Sequence, residues 1–197
     1  MNAPLPEDIR AFCEKYRVTQ DPFELSIVRD IIHVLAPRVI LEIGVEAGGS
    51  LLLWELFSGW GDLLRGAIGV DGQGGERVPE KTMAAYPCLP LWVKGVSQEQ
   101  ATVDEVKRVL GNAKVDFLFI DGGHTFAEVS GDFRSYAPLV RKGGVIGFHD
   151  IGQGDVKSFW DSFGTSPPQR VTIAGHMGTG LLFVGQQVMT AWPVKED

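Results

Sequence analysis

The sequence predicts an α/β protein, with a mostly parallel sheet covered by helices on both faces, for three reasons. Short runs that are mostly apolar, such as residues 115–120, alternate along the 197-residue chain with stretches of helical periodicity, such as residues 126–136. A glycine cluster at residues 44–49 separates the first apolar run from the next helical pattern, as expected at a strand–helix turn. Hydrophobic residues at 44% and charged residues at 22% are typical of one globular domain.

Each predicted element follows from its own local pattern. The first long helix is marked by an apolar stripe from Ile27 to Leu35 and is ended by Pro37. Further helices are predicted, in chain order, at 50–57, 103–110, 126–136 and 155–163. Strands are predicted at 38–43, 67–71, 91–93, 115–120, 145–148, 170–174 and 180–184. We assign residues 1–22 to an N-terminal helical extension and residues 23–197 to the domain itself.

The net charge and composition of the chain disfavour some classes of binding partner. The chain has 18 Lys and Arg residues against 25 Asp and Glu residues, a net charge of −7. This balance argues against binding nucleic acid or an anionic membrane through overall charge. The N-terminal segment lacks the apolar stretch of a signal peptide, and residues 171–194, although uncharged, contain the glycines and proline of a hairpin. We therefore expect a cytoplasmic protein.

The loop after the first predicted strand is a candidate cofactor-binding segment. Gly44 permits a tight turn, and Gly48 with the glycine after it lets a ligand approach the start of the next helix, where Ser50 lies. The dinucleotide pattern G-x-G-x-x-G is absent because Glu46 occupies the place of its second glycine, which disfavours NAD and FAD. Glu42, at the end of the strand, is suited to attract a cationic group of the ligand. The alternative is a tight strand–helix turn without a ligand.

Two residues at the ends of the next strands fit an adenosine group. Asp71 ends the second predicted strand, a position at which an acidic side chain commonly accepts hydrogen bonds from ribose hydroxyls. Ser97 follows the third strand, on the side where an adenine ring would lie. The alternative for Asp71 is a turn aspartate before Gly72.

Titratable residues follow the fourth and fifth predicted strands. Asp121 ends the fourth strand and Asp150 the fifth, so neighbouring strands would place their carboxylates about 5 Å apart at one sheet edge. Two such carboxylates repel each other unless a cation or a shared proton lies between them, and their oxygens suit Mg²⁺ or Mn²⁺. His124 would lie above this edge as a general base. The alternatives are a helix cap for His124, a helix cap or turn residue for Asp150, and a simple turn role for Asp121.

Four segments carry a resemblance to a known family: residues 40–50, 69–71, 120–124 and 142–151. With them the chain resembles the class I S-adenosylmethionine-dependent methyltransferases. Within that class it is similar to the methyltransferase-domain family 24 and to metal-dependent relatives that O-methylate sugars and antibiotics, including the group often labelled cephalosporin hydroxylase-like. The resemblance implies a Rossmann-like sheet of seven strands whose last strand runs antiparallel.

The resemblance also implies roles for individual residues. The implied cofactor-binding set is Glu42, Gly44, Gly48, Ser50, Asp71, Ser97 and Asp121. The implied catalytic residues are His124, as the base, and Asp121, and the implied metal ligands are Asp121, His149 and Asp150. His149 stands where the metal-dependent relatives more often have an acid, which leaves the metal requirement open.

The predicted activity is transfer of a methyl group from S-adenosylmethionine to a hydroxyl of a small molecule, such as a sugar, a polyketide or a phenol, with Mg²⁺ or Mn²⁺ as an optional cofactor. The 21.5 kDa chain is compatible with a homodimer. The alternative is a non-catalytic nucleotide-binding protein that retains the methyltransferase fold.

Overall fold

The chain folds into a central sheet with helices on both faces. The computed structural model describes residues 6–58, 66–87, 89–164 and 170–185. Its strands are β1 (Val39–Ile43), β2 (Gly66–Asp71), β3 (Leu91–Lys94), β4 (Val115–Ile120), β5 (Val140–Phe148), β6 (Arg170–Ile173) and β7 (Thr179–Phe183). Its α-helices are α1 (Pro6–Tyr16), α2 (Pro22–Leu35), α3 (Gly49–Phe57), α4 (Glu80–Met83), α5 (Gln100–Leu110), α6 (Phe126–Tyr136) and α7 (Gly154–Ser162).

The strand order is β3-β2-β1-β4-β5-β7-β6, and the neighbouring strands from β3 through β5 pair in parallel. Strand β7 runs antiparallel to both β5 and β6. These findings confirm the predicted fold class and the antiparallel last strand. The order reverses between β1 and β4, and in open α/β sheets this point forms a crevice at the carboxyl ends of the strands.

The C-terminal hairpin forms as the sequence predicts, whereas β5 begins earlier than predicted. Strands β6 and β7 form the predicted hairpin, while residues 186–194 of the predicted segment lie outside the described residues. Strand β5 begins at Val140, five residues before its predicted start. The ladder is irregular there: Val115 pairs with Val140 but Phe117 pairs with Val145. Gly143, at φ +77°, lies in this bulge, which interrupts the apolar run that marks a strand.

Two apolar cores lie on opposite faces of the sheet, because alternate side chains of a strand point to opposite faces. On β4, Leu118 and Ile120 belong to the core beneath α5, α6 and α7, whereas Phe117 and Phe119 belong to the core beneath α2 and α3. This double burial explains why the central strands are predominantly apolar rather than alternating, with only Glu42 interrupting β1 and Asp116 interrupting β4. Both faces of the sheet are therefore covered by helices, and polar groups are found at its edge.

Helix α1 packs into the second of these cores through Ile9, Cys13 and Tyr16. The contact with α3 is close: a Cβ added to Gly49 would lie 2.4 Å from the carbonyl oxygen of Tyr16. The division into an extension at 1–22 and a domain at 23–197 remains a prediction, with its boundary in the first turn of α2. None of the described helices has the length and apolar character needed to cross a membrane.

Candidate functional site

A cavity of about 690 Å³, here called the main cavity, opens where the strand order reverses. Its volume lies in the range of small-molecule sites. Most of the predicted site residues line it: Gly44, Ser50, Asp71, Ser97, Asp121, His124, His149 and Asp150. Two predicted residues, Glu42 and Gly48, do not line it and lie behind its wall instead.

The loop from β1 to α3 forms one wall, and its shape depends on Gly44. This residue has φ +84°, and a Cβ there would lie 2.0 Å from the carbonyl oxygen of Asp121. The next residue with positive φ is Glu46, at +46°, which shows that a residue other than glycine occupies this left-handed position. The backbone N–H of Glu46 donates to Oδ2 of Asp71 at 3.2 Å, which ties this loop to the end of β2.

The side of the cavity predicted to hold adenosine is fixed by exposed and partly buried hydrogen bonds. Asp71 also accepts a hydrogen bond on Oδ1 from the backbone N–H of Gln73, at 2.8 Å, so its carboxylate is oriented before any ligand binds. The carbonyl oxygen of Ser97 accepts a hydrogen bond from the hydroxyl of Tyr136 at 2.7 Å. Gln98 donates to Oδ1 of the fully buried Asp132 at 2.8 Å. The loop after β3 is therefore anchored to α6.

Glu42 and Gly48 support the glycine loop from the inside. Glu42 is fully buried, and its Oε1 accepts a hydrogen bond from the indole N–H of Trp54 at 3.1 Å. Burial raises the pKa of Glu42 to about 8, although hydrogen bonds from Ser50 and Trp54 oppose the rise. The carbonyl oxygen of Gly48 accepts a hydrogen bond from the hydroxyl of Tyr86 at 2.6 Å. Both residues shape the wall, and their contact with a cofactor stays a prediction.

The ends of β4 and β5 bring the predicted reacting groups together. These strands are direct neighbours, and the ligand atoms of Asp121, His124 and Asp150 lie within 4.8 Å of one another. Nε2 of His124 is 2.7 Å from Oδ2 of Asp150, while the imidazole itself is largely exposed. Nδ1 of His149 is 3.3 Å from Oδ1 of Asp121 and 3.3 Å from Oδ1 of Asp150. Two carboxylates and two imidazoles thus share one edge of the main cavity.

The capping alternatives for this edge are wrong. Helix α6 is capped by Thr125, not by His124: Thr125 and Glu128 form a complete capping box. The residue that precedes α7 as its N-cap is Gln153, not Asp150. Asp150 instead has φ +60°, a left-handed conformation that an aspartate tolerates better than most residues. His124 and Asp150 therefore do not cap these helices, and Asp150 lies in the turn before α7, where its carbonyl oxygen accepts a hydrogen bond from the N–H of Gln153.

The two central side chains of this edge have shifted pKa values. Burial lowers the pKa of His149, but hydrogen bonds and charge from Asp121 and Asp150 outweigh burial and raise it to about 10. The pKa of Asp150 is lowered, chiefly by its contact with His149, against the effect of burial. The pair therefore carries opposite charges at neutral pH.

The donor set at the ends of β4 and β5 fits a divalent cation. The predicted ligand set of Asp121, His149 and Asp150 stays a prediction, and the ligand atoms of Asp121, His124 and Asp150 lie within 4.8 Å of one another. His149 is only 7% exposed and lies 3.3 Å from both carboxylates, whereas His124 is 64% exposed. Carboxylate oxygens suit Mg²⁺ or Mn²⁺, and an imidazole nitrogen suits Mn²⁺ better than Mg²⁺.

The site also contains residues that the sequence analysis missed. Gln20, between α1 and α2, is 5% exposed and donates a hydrogen bond from Nε2 to Oδ2 of Asp121. His176 and Met177, in the turn from β6 to β7, line the main cavity as well. No periodic pattern or motif marks these positions. Gln20 lies 101 positions from its partner, so only the folded chain shows that they meet.

Solved structures show what class of protein this fold defines. A Staphylococcus aureus protein, described as a candidate caffeoyl-CoA O-methyltransferase, gives a TM-score of 0.66 at 17% identity and covers 92% of this chain and 93% of its own. The O-methyltransferase TomG from Streptomyces achromogenes gives 0.64 at 14% identity, with 91% of this chain and 89% of its own. MycE, from the mycinamycin biosynthetic pathway, gives 0.62 at 20% identity, with 93% of this chain and 55% of its own. The fold is that of a class I methyltransferase.

A family model described as a methyltransferase domain, Methyltransf_24, matches residues 41–151. This match spans more than half of the chain, so the chain belongs to that methyltransferase family. The uncharacterized protein y4gI of Sinorhizobium fredii (strain NBRC 101917 / NGR234) is 27% identical over 171 residues. The match covers 80% of this chain but 18% of that relative, so the chain spans less than a fifth of the relative's length. The predicted methyltransferase family and the predicted fold class are confirmed.

Proposed function

We propose that this methyltransferase methylates a hydroxyl group of a small molecule, with His124 as the general base. The observation that carries the proposal is the contact between Nε2 of His124 and Oδ2 of Asp150, 2.7 Å apart at the wall of the main cavity. A hydroxyl becomes a good nucleophile as it loses its proton, and an imidazole oriented by a carboxylate is suited to take that proton. The names of TomG, an O-methyltransferase that was solved with S-adenosylmethionine, and of the caffeoyl-CoA O-methyltransferase relative support the same reaction type.

The residues at the ends of β4 and β5 determine which group takes the proton of the acceptor hydroxyl. Because Nε2 of His124 faces Asp150, Nδ1 is the nitrogen left to accept the proton of the acceptor hydroxyl. The acceptor oxygen takes the methyl group as the C–S bond of S-adenosylmethionine breaks, which leaves the neutral thioether S-adenosylhomocysteine. Asp150 stabilises the imidazolium that forms on His124. No covalent bond to the protein is needed.

The remaining wall residues are proposed to hold the methyl donor. Asp71 would accept hydrogen bonds from the ribose hydroxyls, with lone pairs left beside its two backbone contacts. The loop of Gly44 and Ser50 would face the methionine moiety, and Ser97 the adenine ring. Asp121, at the join between cofactor and acceptor, would attract the positive charge of the sulfonium.

A mutation of the base tests the proposal. His124→Gln should lower kcat about 10²- to 10⁴-fold, because one general base contributes a factor of that order. Binding of S-adenosylmethionine, measured by calorimetry, should not change. His33→Gln is the matched control, since His33 is exposed on α2 and away from the cavity. Full turnover by His124→Gln would exclude His124 as the base, and absence of cofactor binding in the wild type would overturn the whole proposal.

A divalent cation at Asp121 and Asp150 is the second part of the proposal. When bound, such an ion would lower the pKa of the acceptor hydroxyl. Mg²⁺ should give a binding heat with the metal-free wild type that is lost in Asp121→Asn. The Mg complex of MycE supports a metal in this fold, although it is a property of that protein. No heat from Mg²⁺ or Mn²⁺ in the wild type, together with turnover in EDTA, would refute this part and leave the base intact.

A further inference from the structure

A second hollow adjoins the main cavity and is not needed to hold the methyl donor. This side groove, about 460 Å³ in volume, lies between α1, residues 17–22 and the turn from β6 to β7. It shares a wall with the main cavity: Val18, Thr19, Gln20, His176 and Met177 line both. The two hollows meet beside Asp121, because Gln20 in the shared wall donates to that carboxylate. A molecule in the groove could therefore reach the reacting edge.

The shared wall contains a buried acceptor that lacks a donor. Gln20 is 5% exposed, and its Nε2 is used by Asp121, but its Oε1 has no hydrogen-bond partner among the described residues. The carboxylate fixes the orientation of this amide, since a flipped amide would place two oxygens against each other. A buried carbonyl oxygen without a donor is unfavourable, and a ligand hydroxyl would remove that cost. The unpaired oxygen is therefore an observation that points to a ligand.

The groove is formed before any ligand binds, because its far wall is anchored. Glu24 of α2 is fully buried and accepts hydrogen bonds from the backbone N–H of Gly178 at 3.0 Å and the hydroxyl of Thr179 at 2.6 Å. The turn is also tied to the end of β5, since the N–H of Gly152 donates to the carbonyl oxygen of Met177 at 2.8 Å. A rigid wall of this kind lowers the ordering cost of binding.

The lining of the groove selects the chemistry of its occupant. Arg10, Glu14 and Asp21 supply both signs of charge, and Thr19 and Gln20 supply neutral polar groups. In the described part of the chain no phenyl, phenol or indole ring lines the groove. A flat aromatic acceptor would find only the imidazole of His176 to stack on among the described lining residues, and a strongly anionic one would face two carboxylates. Donors and acceptors of mixed kind match a neutral, hydroxyl-rich molecule.

We propose that the side groove is the acceptor subsite and that it takes a neutral acceptor with several hydroxyl groups, oriented by the amide oxygen of Gln20. The inference rests on the proposed function. Gln20 is a positioning residue: a second hydroxyl of the acceptor donates to its Oε1, which places the first hydroxyl at the edge formed by Asp121 and His124. Met177 and Val18 then pack against the carbon skeleton of the acceptor.

The test separates the subsite from the methyl donor. Methyl glycosides serve as hydroxyl-rich probes and catechol and phenol as aromatic ones, with binding to the protein–S-adenosylhomocysteine complex and S-adenosylhomocysteine formation both measured. We expect methyl glycosides to bind and react in preference to the aromatic probes. If S-adenosylmethionine binds but no methyl glycoside binds or reacts, or if the aromatic probes are preferred, the inference is wrong while the proposed function stands. If S-adenosylmethionine does not bind, the proposed function itself fails.

Two variants test the groove directly. Glu14→Trp should fill it from the exposed face of α1 and raise the KM for the glycoside about tenfold or more, with the Kd of S-adenosylmethionine unchanged. Lys15→Trp is the matched control, because Lys15 is the next exposed residue of α1 and lines neither hollow. Gln20→Met should also raise KM more than it lowers kcat. An unchanged KM in Glu14→Trp would overturn the assignment of the groove, whether or not the Gln20 variant folds.

Discussion

At the scale of single residues, Gly44 sets the shape of the cofactor loop. Replacement by alanine adds a Cβ 2.0 Å from a backbone oxygen and requires φ +84°, so either the loop or the end of β4 must shift. We expect Gly44→Ala to weaken S-adenosylmethionine binding at least tenfold and to lower stability by roughly 1–3 kcal/mol. Calorimetry and urea unfolding measure the two effects.

The control for that prediction is another glycine of the same sheet. Gly66, at the start of β2, has no heavy atom within 4 Å of an added Cβ, so Gly66→Ala should bind the cofactor like the wild type. Wild-type affinity in Gly44→Ala would show that the loop adapts and that the close approach to Asp121 is unimportant.

The raised pKa of Glu42 predicts how the stability of the protein depends on pH. Its pKa is raised from about 4.5 to about 8 by burial, so between these values the folded protein holds a proton that the unfolded chain has lost. Stability should therefore fall as pH rises from 5 to 8. Glu42→Gln cannot ionise and should remove roughly 1.4 kcal/mol per pH unit of that slope.

Urea unfolding of both proteins at pH 5, 6, 7 and 8 checks the Glu42 prediction. Asp132, with a pKa raised to about 6 chiefly by burial, adds a slope of the same sign at the acidic end. His149, with a pKa raised to about 10 by its two carboxylates against burial, adds one at the basic end. Both remain in the variant, so the difference between the two slopes isolates Glu42. Equal slopes would mean that Glu42 is ionised in the folded protein.

The site residues at strand ends could be predicted, because the sequence shows both the acidic side chain and its place at the end of a strand. Asp71, Asp121 and Asp150 each follow an apolar strand, and a parallel sheet brings such positions to one edge. Gln20 was not predictable, because its side chain has no partner within its own segment. Which histidine nitrogen lies beside the two carboxylates likewise depends on side-chain direction, which spacing does not specify.

At the scale of elements, the turn between β6 and β7 depends on α2. Glu24→Ala would leave the N–H of Gly178 and the hydroxyl of Thr179 without their buried acceptor. We expect a loss of stability of roughly 2–4 kcal/mol in urea unfolding. Glu24→Gln keeps one carbonyl oxygen for these donors and should lose less.

A control on the same helix separates this effect from helix propensity. Ser26→Ala removes an exposed hydroxyl that donates to the carbonyl oxygen of Phe23, and should change stability by less than about 0.5 kcal/mol. Equal losses in Glu24→Ala and Ser26→Ala would show that the turn is held by its other contacts.

Most boundaries of the central strands could be predicted because burial on both sheet faces makes these strands predominantly apolar. Helices α5 and α6 show the periodicity expected of one buried face. The exception is β5, where the bulge at Gly143 breaks the run and hides the first part of the strand. A local pattern cannot show a strand whose pairing is irregular.

For the whole molecule, ligand binding should appear as added stability. At a concentration of S-adenosylmethionine 100 times its Kd, binding adds about 2.7 kcal/mol to the free energy of unfolding. For a chain of this length that corresponds to a rise in Tm of roughly 5–11 °C in a thermal shift assay. NADH should give no shift, since Glu46 occupies the dinucleotide glycine position. A shift with NADH alone would contradict the assigned cofactor.

The contact between Gln20 and Asp121 spans 101 positions, and that between Glu24 and Thr179 spans 155. On the ribosome, the early segment is therefore synthesised long before the groups that it must meet. In a nascent chain that ends before Thr179, the carboxylate of Glu24 lacks its hydroxyl donor. The wall of the side groove that contains the turn from β6 to β7 has not yet formed. Such long-range closure slows folding. The enzyme should consequently gain its acceptor site late in synthesis, and chains cut short upstream of this point should be inert even where the cofactor loop has formed.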